Sequence, residues 1–209
     1  MLHQLHGEGR IDSVPVYVDS PLSVNVTEVF RRHPECFDDE TLAVLNSPRD
    51  NDPFGFERLT YVKSVEQSKG LNDAPGPCII IAASGMCEAG RITHHLANSI
   101  GDPRNMILIV GYQAENTLGK KLVLREPIVN IFGDPYSLRA EVVVLNSFSG
   151  HADRNELLRY IGGFPPGRMK GIFLVHGDPD QSEKLGRGLE ESGFLHVSIP
   201  ARGDNVPLA

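Results

Sequence analysis

Two stretches of this 209-residue chain place an imidazole where a catalytic or metal-binding group would be useful. In Val142 to Asp153, V-V-V-L-N-S-F-S-G-H-A-D, and in Gly171 to Asp178, G-I-F-L-V-H-G-D, an apolar run leads to a histidine. A carboxylate follows two residues later, and a helix-like segment after that. Loops at the carboxyl ends of parallel strands converge on one crevice of an open α/β sheet, so His151 and His176 are expected to face a common site from different strands. Asp153 and Asp178 would then fix the tautomer of each imidazole, as carboxylates behind metal-bound histidines do. Both also stand directly before helical patterns, where an aspartate caps a helix, and the spacing leaves the two roles open.

A different chemistry is suggested by Ser84-Gly85-Met86-x-x-x-Gly90-Arg91, between an apolar run and a helical pattern. Backbone N–H groups and a hydroxyl at a helix N-terminus bind anions, and glycines let a phosphate approach the backbone. An ordinary strand-to-helix turn with a glycine for packing has the same spelling. Asp19-Ser20-Pro21 ends a strand in a similar way, and also reads as a helix cap with proline at the first helical position. Lys120 and Lys121 form either a small phosphate patch or a solvated face. His94 and His95 are adjacent in a helical pattern and cannot point the same way, which predicts solvent or edge positions for them.

The elements that must position these groups alternate. Val14 to Asp19 reads as a strand, with a helix from Ser20-Pro21 to about His33 and a second short helix, introduced by Asp38 and Asp39, through Leu45. A polar loop over Ser47 to Phe56 leads to a strand around Leu59 to Val62 and a helix capped by Ser64. Cys78 to Ala83, C-I-I-I-A-A, is a continuous apolar run of the kind found in buried parallel strands. A helix over Glu88 to Ser99, another buried strand at Met106 to Gly111 and a basic helical turn from Thr117 follow. Pro127 to Phe132 is expected to pair with Arg139 to Leu145 around a Gly133-Asp134-Pro135 turn. Beyond His151 come a helix from about Arg154 to Ile161, the strand carrying His176, a helix from about Asp180 to Ser192 and a strand over His196 to Pro200. This order predicts an α/β fold, a mostly parallel sheet with flanking helices, and a change of lobe near residue 125.

Composition bounds the partners. A net charge of -7 and a pI of about 5.6 give no overall basic footprint, so contact with nucleic acid must rely on a local patch or bound cations. Cys36, Cys78 and Cys87 lack C-x-x-C spacing and suit buried, reduced thiols. No run is long and apolar enough for a membrane helix and no signal-peptide core is present, so the chain is expected to be cytoplasmic and away from membranes. Leu2, Leu5 and His6 read as the last turns of an amphipathic helix, which suggests a fragment.

In order along the chain, P-V-Y-V-D-S-P-L, I-I-A-A-S-G-M-C-E-A-G-R, G-Y-Q-A-E-N-T-L-G-K-K-L, S-F-S-G-H-A-D and L-V-H-G-D resemble the motifs of β-CASP nucleases of the metallo-β-lactamase superfamily, in the RNA-processing branch. The resemblance spans nearly the whole chain. It implies a β-CASP lobe over residues 1–125, with residues 126–209 supplying the C-terminal strands and helices of a metallo-β-lactamase lobe. It implies that His176 is a zinc ligand and that His151 meets the scissile phosphate. Ser84, Gly85, Gly90, Arg91 and Lys120 would line an RNA phosphate track, with Asp19, Asp153 and Asp178 as supporting carboxylates. The family's H-x-H-x-D-H zinc motif is absent here. The resemblance therefore implies part of a metal-dependent ribonuclease that holds two Zn2+ ions when complete, cleaves single-stranded RNA, and is inactive without an N-terminal metallo-β-lactamase half in cis or in trans. A non-catalytic RNA-binding or partner-binding module is the alternative, and a homodimer stays open.

Overall fold

The β-branched run after Pro15 becomes β1 (Val16–Asp19), the middle strand of a three-stranded parallel sheet in the order β2-β1-β3, with β2 (Leu59–Tyr61) and β3 (Ile79–Ala82) on either side. The computed structural model describes residues 1–11, 14–47, 51–148 and 150–206. By its internal contacts the chain divides into two units, Met1–Phe148 and Ser149–Ala209.

In the first unit, local chemistry sets most helix starts. After α1 (Leu2–Gly7), the Ser20 hydroxyl accepts the Ser23 N–H and Pro21 opens α2 (Pro21–Arg31). Asp38 caps α3 (Asp39–Leu45), and Ser64 with Gln67 forms a capping box on α4 (Val65–Gly70). Thr117 accepts the Lys120 N–H at the start of α6 (Leu118–Val123), which follows α5 (Arg91–Ser99) and β4 (Met106–Ile109). The core of this unit gathers Leu96 of α5 and Ile100 just after it, Ile107 and Ile109 of β4, Leu118 and Leu122 of α6, and Val129, Ile131 and Val142 from the segment beyond residue 125. That packing is why the division by contacts falls after Phe148.

Three expectations need correction here. The hairpin forms between β5 (Ile128–Ile131) and β6 (Asp134–Ser137), not with the run from Arg139. Phe132 and Gly133 both take positive φ, 56° and 92°, so they form the tight connection whose twist suits a two-residue hairpin. The apolar run becomes β7 (Glu141–Val144), which pairs in parallel with β4, Ile107 opposite Val142. Neither β3 nor β4 is buried on both faces: Ile81 is exposed, and β4 alternates buried Ile107 and Ile109 with exposed Met106 and Leu108. Finally, α5 begins at Arg91, not Glu88, because Gly90 at φ 83° and ψ -168° interrupts the helical backbone.

The second unit packs α7 (Arg154–Gly162) and α8 (Pro179–Glu191) with the parallel pair β8 (Ile172–Phe173) and β9 (Val197–Ser198). Leu158, Ile161 and Leu185 surround buried Ile172, Leu189 and Phe194. The α/β class with mostly parallel pairing is observed as expected. The loop expected over Ser47 to Phe56 and the S-F-S-G-H stretch lie partly outside the described residues, at 48–50 and at 149. Among the described residues no helix is long and apolar enough to cross a membrane.

Candidate functional site

Asp19, at the carboxyl end of β1, is fully buried, and a buried carboxylate survives only with donors around it. Its Oδ2 accepts the Ser68 hydroxyl at 2.5 Å and faces His95 Nε2 at 2.7 Å, while its Oδ1 accepts from Arg91 Nη1. The other ring nitrogen of His95 faces Asn72 Oδ1 at 3.1 Å. Arg91 donates further to the Val62 carbonyl at 3.2 Å and to the Lys63 carbonyl at 3.4 Å. Burial alone would push the Asp19 carboxyl up, but the bonds from Ser68, His95 and Arg91 together hold it below its ordinary value of 3.8.

The structure thus brings Asp19 and Arg91 together and adds Ser68 and His95, which the sequence reading did not place there. It also corrects the solvent or edge position expected for His95, which is buried; His94 is exposed and its ring lies 4.7 Å from that of Phe132. A signal existed. Arg91 and His95 are four residues apart on one helix, so both reach the same side of α5. Nη1 of Arg91 is occupied by Asp19, so its charge is largely balanced within the protein. Lys120 is likewise paired, with Glu115 at 2.6 Å.

Ser84, Gly85 and Gly90 share one loop beyond β3; Gly90 is the N-cap of α5, with no side-chain cap bond, while Ser84 and Gly85 lie ahead of the helix start. The Ser84 N–H and hydroxyl close the loop on itself, donating to the Ala89 carbonyl at 3.0 Å and accepting the Ala89 N–H at 3.3 Å. Gly90 has no substitute: a Cβ there would sit 2.5 Å from the Ala83 carbonyl oxygen, in a backbone region essentially reserved for glycine. Gly90→Ala is expected to destabilise the chain by about 1–3 kcal/mol from the backbone alone, and more from the overlap. A urea midpoint equal to that of the parent chain would contradict this. Cys87, buried within this loop, has its thiol pushed up to about 11 by burial and by Glu88. Cys78 is half-buried and Cys36 is exposed, so the expectation of three buried thiols fails at Cys36.

The same loop is tied to the segment beyond β4. Gln113, 6% exposed, donates from Nε2 to the carbonyls of Gly85, Gly111 and Tyr112 at 2.9, 3.1 and 3.0 Å. The Gly119 N–H donates to the Met86 carbonyl at 3.0 Å, and the Leu118 N–H donates to the Glu88 carboxylate. Gln113, Gly119 and Glu88 were also missed by the sequence reading. A polar Gln-x-x-x-x-x-Gly spacing has no local meaning until the partner loop is known.

In the second unit, Asp153 is a helix cap: it accepts the Glu156 N–H at 2.9 Å, and Glu156 returns the bond to the Asp153 N–H at 3.0 Å. His151 is exposed, just before this cap. His176 is also exposed; it lies in the turn between β8 and α8 at φ 61°, and Asp178 is the residue at which α8 starts. Among the described residues, no group of three or more His, Cys, Asp and Glu side chains could hold a metal ion. A catalytic zinc usually has three protein ligands, so the described donors do not fit a zinc centre by themselves.

Two family models match the chain in succession. Residues 1–122 match the Beta-Casp domain, and residues 135–200 match the Zn-dependent metallo-hydrolase RNA specificity domain, a family in which zinc is implied. The chain is 38% identical to ribonuclease TTHA0252 of Thermus thermophilus over 209 residues, all of this chain and 47% of that protein. It is 32% identical to transcription termination factor FttA of Methanosarcina mazei over 93% of this chain and 30% of that protein. An RNase J-like protein of Methanocaldococcus jannaschii is 30% identical, over 96% of this chain and 44% of its own length. The chain therefore spans less than half the length of these relatives.

Proposed function

The chain belongs to the β-CASP family of metallo-β-lactamase-fold ribonucleases, and from that membership we propose that it is a segment of a zinc-dependent nuclease that hydrolyses single-stranded RNA. Residues 1–125 act as the β-CASP lobe and residues 126–209 as part of a metallo-β-lactamase lobe. The remaining zinc ligands come from a metallo-β-lactamase half carried in cis or in trans. His176 contributes one ligand and His151 assists at the scissile phosphate. Ser84, Gly85 and Gly90 pass the RNA backbone along the loop beyond β3. Arg91, held by Asp19, and Lys120, held by Glu115, border this phosphate track with their charges already paired, and Asp153 and Asp178 set the helix starts behind the two histidines. The working compartment is the cytoplasm.

The observation that carries this reading is the Ser84–Gly90 loop. It is glycine-rich and exposed, and the Gly85 and Met86 N–H groups donate to no described residue. Paired exposed amides of this kind suit an anion. The chain is expected to bind labelled single-stranded RNA with an affinity that falls as salt rises, and not to cleave it with added zinc. Joined to a metallo-β-lactamase half that carries H-x-H-x-D-H, it is expected to cleave. Binding without cleavage in the joined protein would favour a non-catalytic RNA-binding module, and absence of RNA binding would overturn the reading.

A further inference from the structure

The Ser84–Gly90 loop has few contacts of its own to hold its shape. Its internal bonds are those between Ser84 and Ala89 and the Cys87 N–H to the Ser84 carbonyl at 3.1 Å. The neighbouring segment beyond β4 contributes three donors: Gln113 to the Gly85 carbonyl, the Gly119 N–H to the Met86 carbonyl, and the Leu118 N–H to the Glu88 carboxylate. The Gly85 carbonyl shares its peptide plane with the Met86 N–H, so the bond from Gln113 fixes that amide, while the Gly85 N–H shares its plane with the Ser84 carbonyl, which the Cys87 N–H holds. Gly119, bonded to the Met86 carbonyl, fixes the next plane along, and Gly85 and Met86 are exposed.

Gln113 is built for this and little else. Its Nε2 serves three carbonyls, while its Oε1 is buried with no hydrogen-bond partner and lies against Gly119. A Cβ on Gly119 would fall 1.6 Å from that oxygen. Leaving a buried amide oxygen unpaired is costly, so the amide is held by the carbonyls it serves and by the glycine that makes room for it.

We infer that Gln113 and Gly119, with Glu88, form a latch that positions the Met86 amide, next to that of Gly85, for an RNA phosphate. Gln113 itself does not touch the RNA. The inference rests on the RNA reading above and assigns the positioning to residues outside the loop that makes the contact.

The test measures binding of labelled oligo-uridylate to the full chain across a salt series, at a temperature where each variant is folded by circular dichroism. Gln113→Leu removes the donors at similar volume and is expected to weaken binding about tenfold. The salt slope should stay near that of the parent chain, because it counts phosphates neutralised by Lys and Arg and the amides carry no net charge. Gly119→Ala is expected to do the same with Gln113 in place, and the double change to add little, because residues acting through one contact are not additive. Loss of stability alone, measured as the unfolding temperature, would not lower the affinity of the folded chain. Should Gln113→Leu fail to fold, Glu88→Ala at the exposed end of the latch carries the same criterion, with a smaller loss of affinity. If the parent chain binds RNA and the folded latch variants keep its affinity, the latch is overturned while the RNA reading stands. If the parent chain binds no RNA, the RNA reading itself fails.

Discussion

Asp19→Ala is expected to lower the unfolding free energy of the chain by about 3–5 kcal/mol, the cost of leaving the other members of a buried ionic group without their partner. Three donors from two helices converge on this one fully buried carboxylate: Ser68 of α4, and Arg91 and His95 of α5. Removing it strands two nitrogenous side chains and a hydroxyl at the place where β1 meets both helices. For a domain whose total stability is about 5–15 kcal/mol, that is a large fraction. Asp19→Asn keeps two polar positions but no charge, so it should fall between the parent and Asp19→Ala. The exposed Asp102–Arg104 pair is the control, where loss of the carboxylate should matter far less.

Acid titration gives the same network a second readout. The carboxyl of Asp19 is held below 3.8, so the unfolded chain binds a proton more readily than the folded one. The stability it contributes is complete above the ordinary value and is lost as pH falls through the lower folded value. Urea midpoints of the parent should therefore fall more steeply below about pH 4 than those of Asp19→Asn. Parallel curves for the two proteins, or a loss under 1 kcal/mol in Asp19→Ala, would mean that the network does not hold β1 to the helices.

What could be read beforehand divides along physical lines. Ser20, Asp38, Ser64, Thr117 and Asp153 were legible as helix starts because capping is a bond between residues three apart, and the structure shows that bond at each. The five ordered motifs gave the family for the same reason: each is local. What failed was non-local or depended on one dihedral. The choice of β4 as the partner of β7 is made by the core around Ile107 and Val142, and the hairpin turn is made by positive φ at Phe132, a residue type that rarely adopts it. His95 looked like a surface histidine until Asp19, 76 positions earlier, was placed beside it. Gln113 and Gly119 lie within the G-Y-Q-A-E-N-T-L-G-K-K-L motif, but nothing local gave either a role without the loop they hold.

The two histidines that prompted the functional reading are expected to fail differently when substituted. In the chain joined to its metallo-β-lactamase half, His151→Ala should slow RNA cleavage by about 10²–10⁴-fold, the range for a lost general acid or base, with bound zinc unchanged. His176 substitutions should instead lower bound zinc together with rate, since opening a coordination sphere weakens the metal. The local structure motivates the split. His151 lies two residues ahead of the Asp153 cap, near the positive end of α7, where an anion is favoured. His176 occupies a left-handed backbone position between β8 and α8, an uncommon conformation that a non-glycine residue holds at a cost. That dihedral also dictates the better substitution. Alanine at φ 61° keeps the strain while removing the imidazole, whereas His176→Gly removes the imidazole and relieves the backbone. Zinc content measured by metal analysis should fall in both, and glycine should restore stability without restoring metal. Recovery of zinc in His176→Gly would show that the side chain is not a ligand, and equal zinc loss in His151→Ala would show that the two roles are not separate.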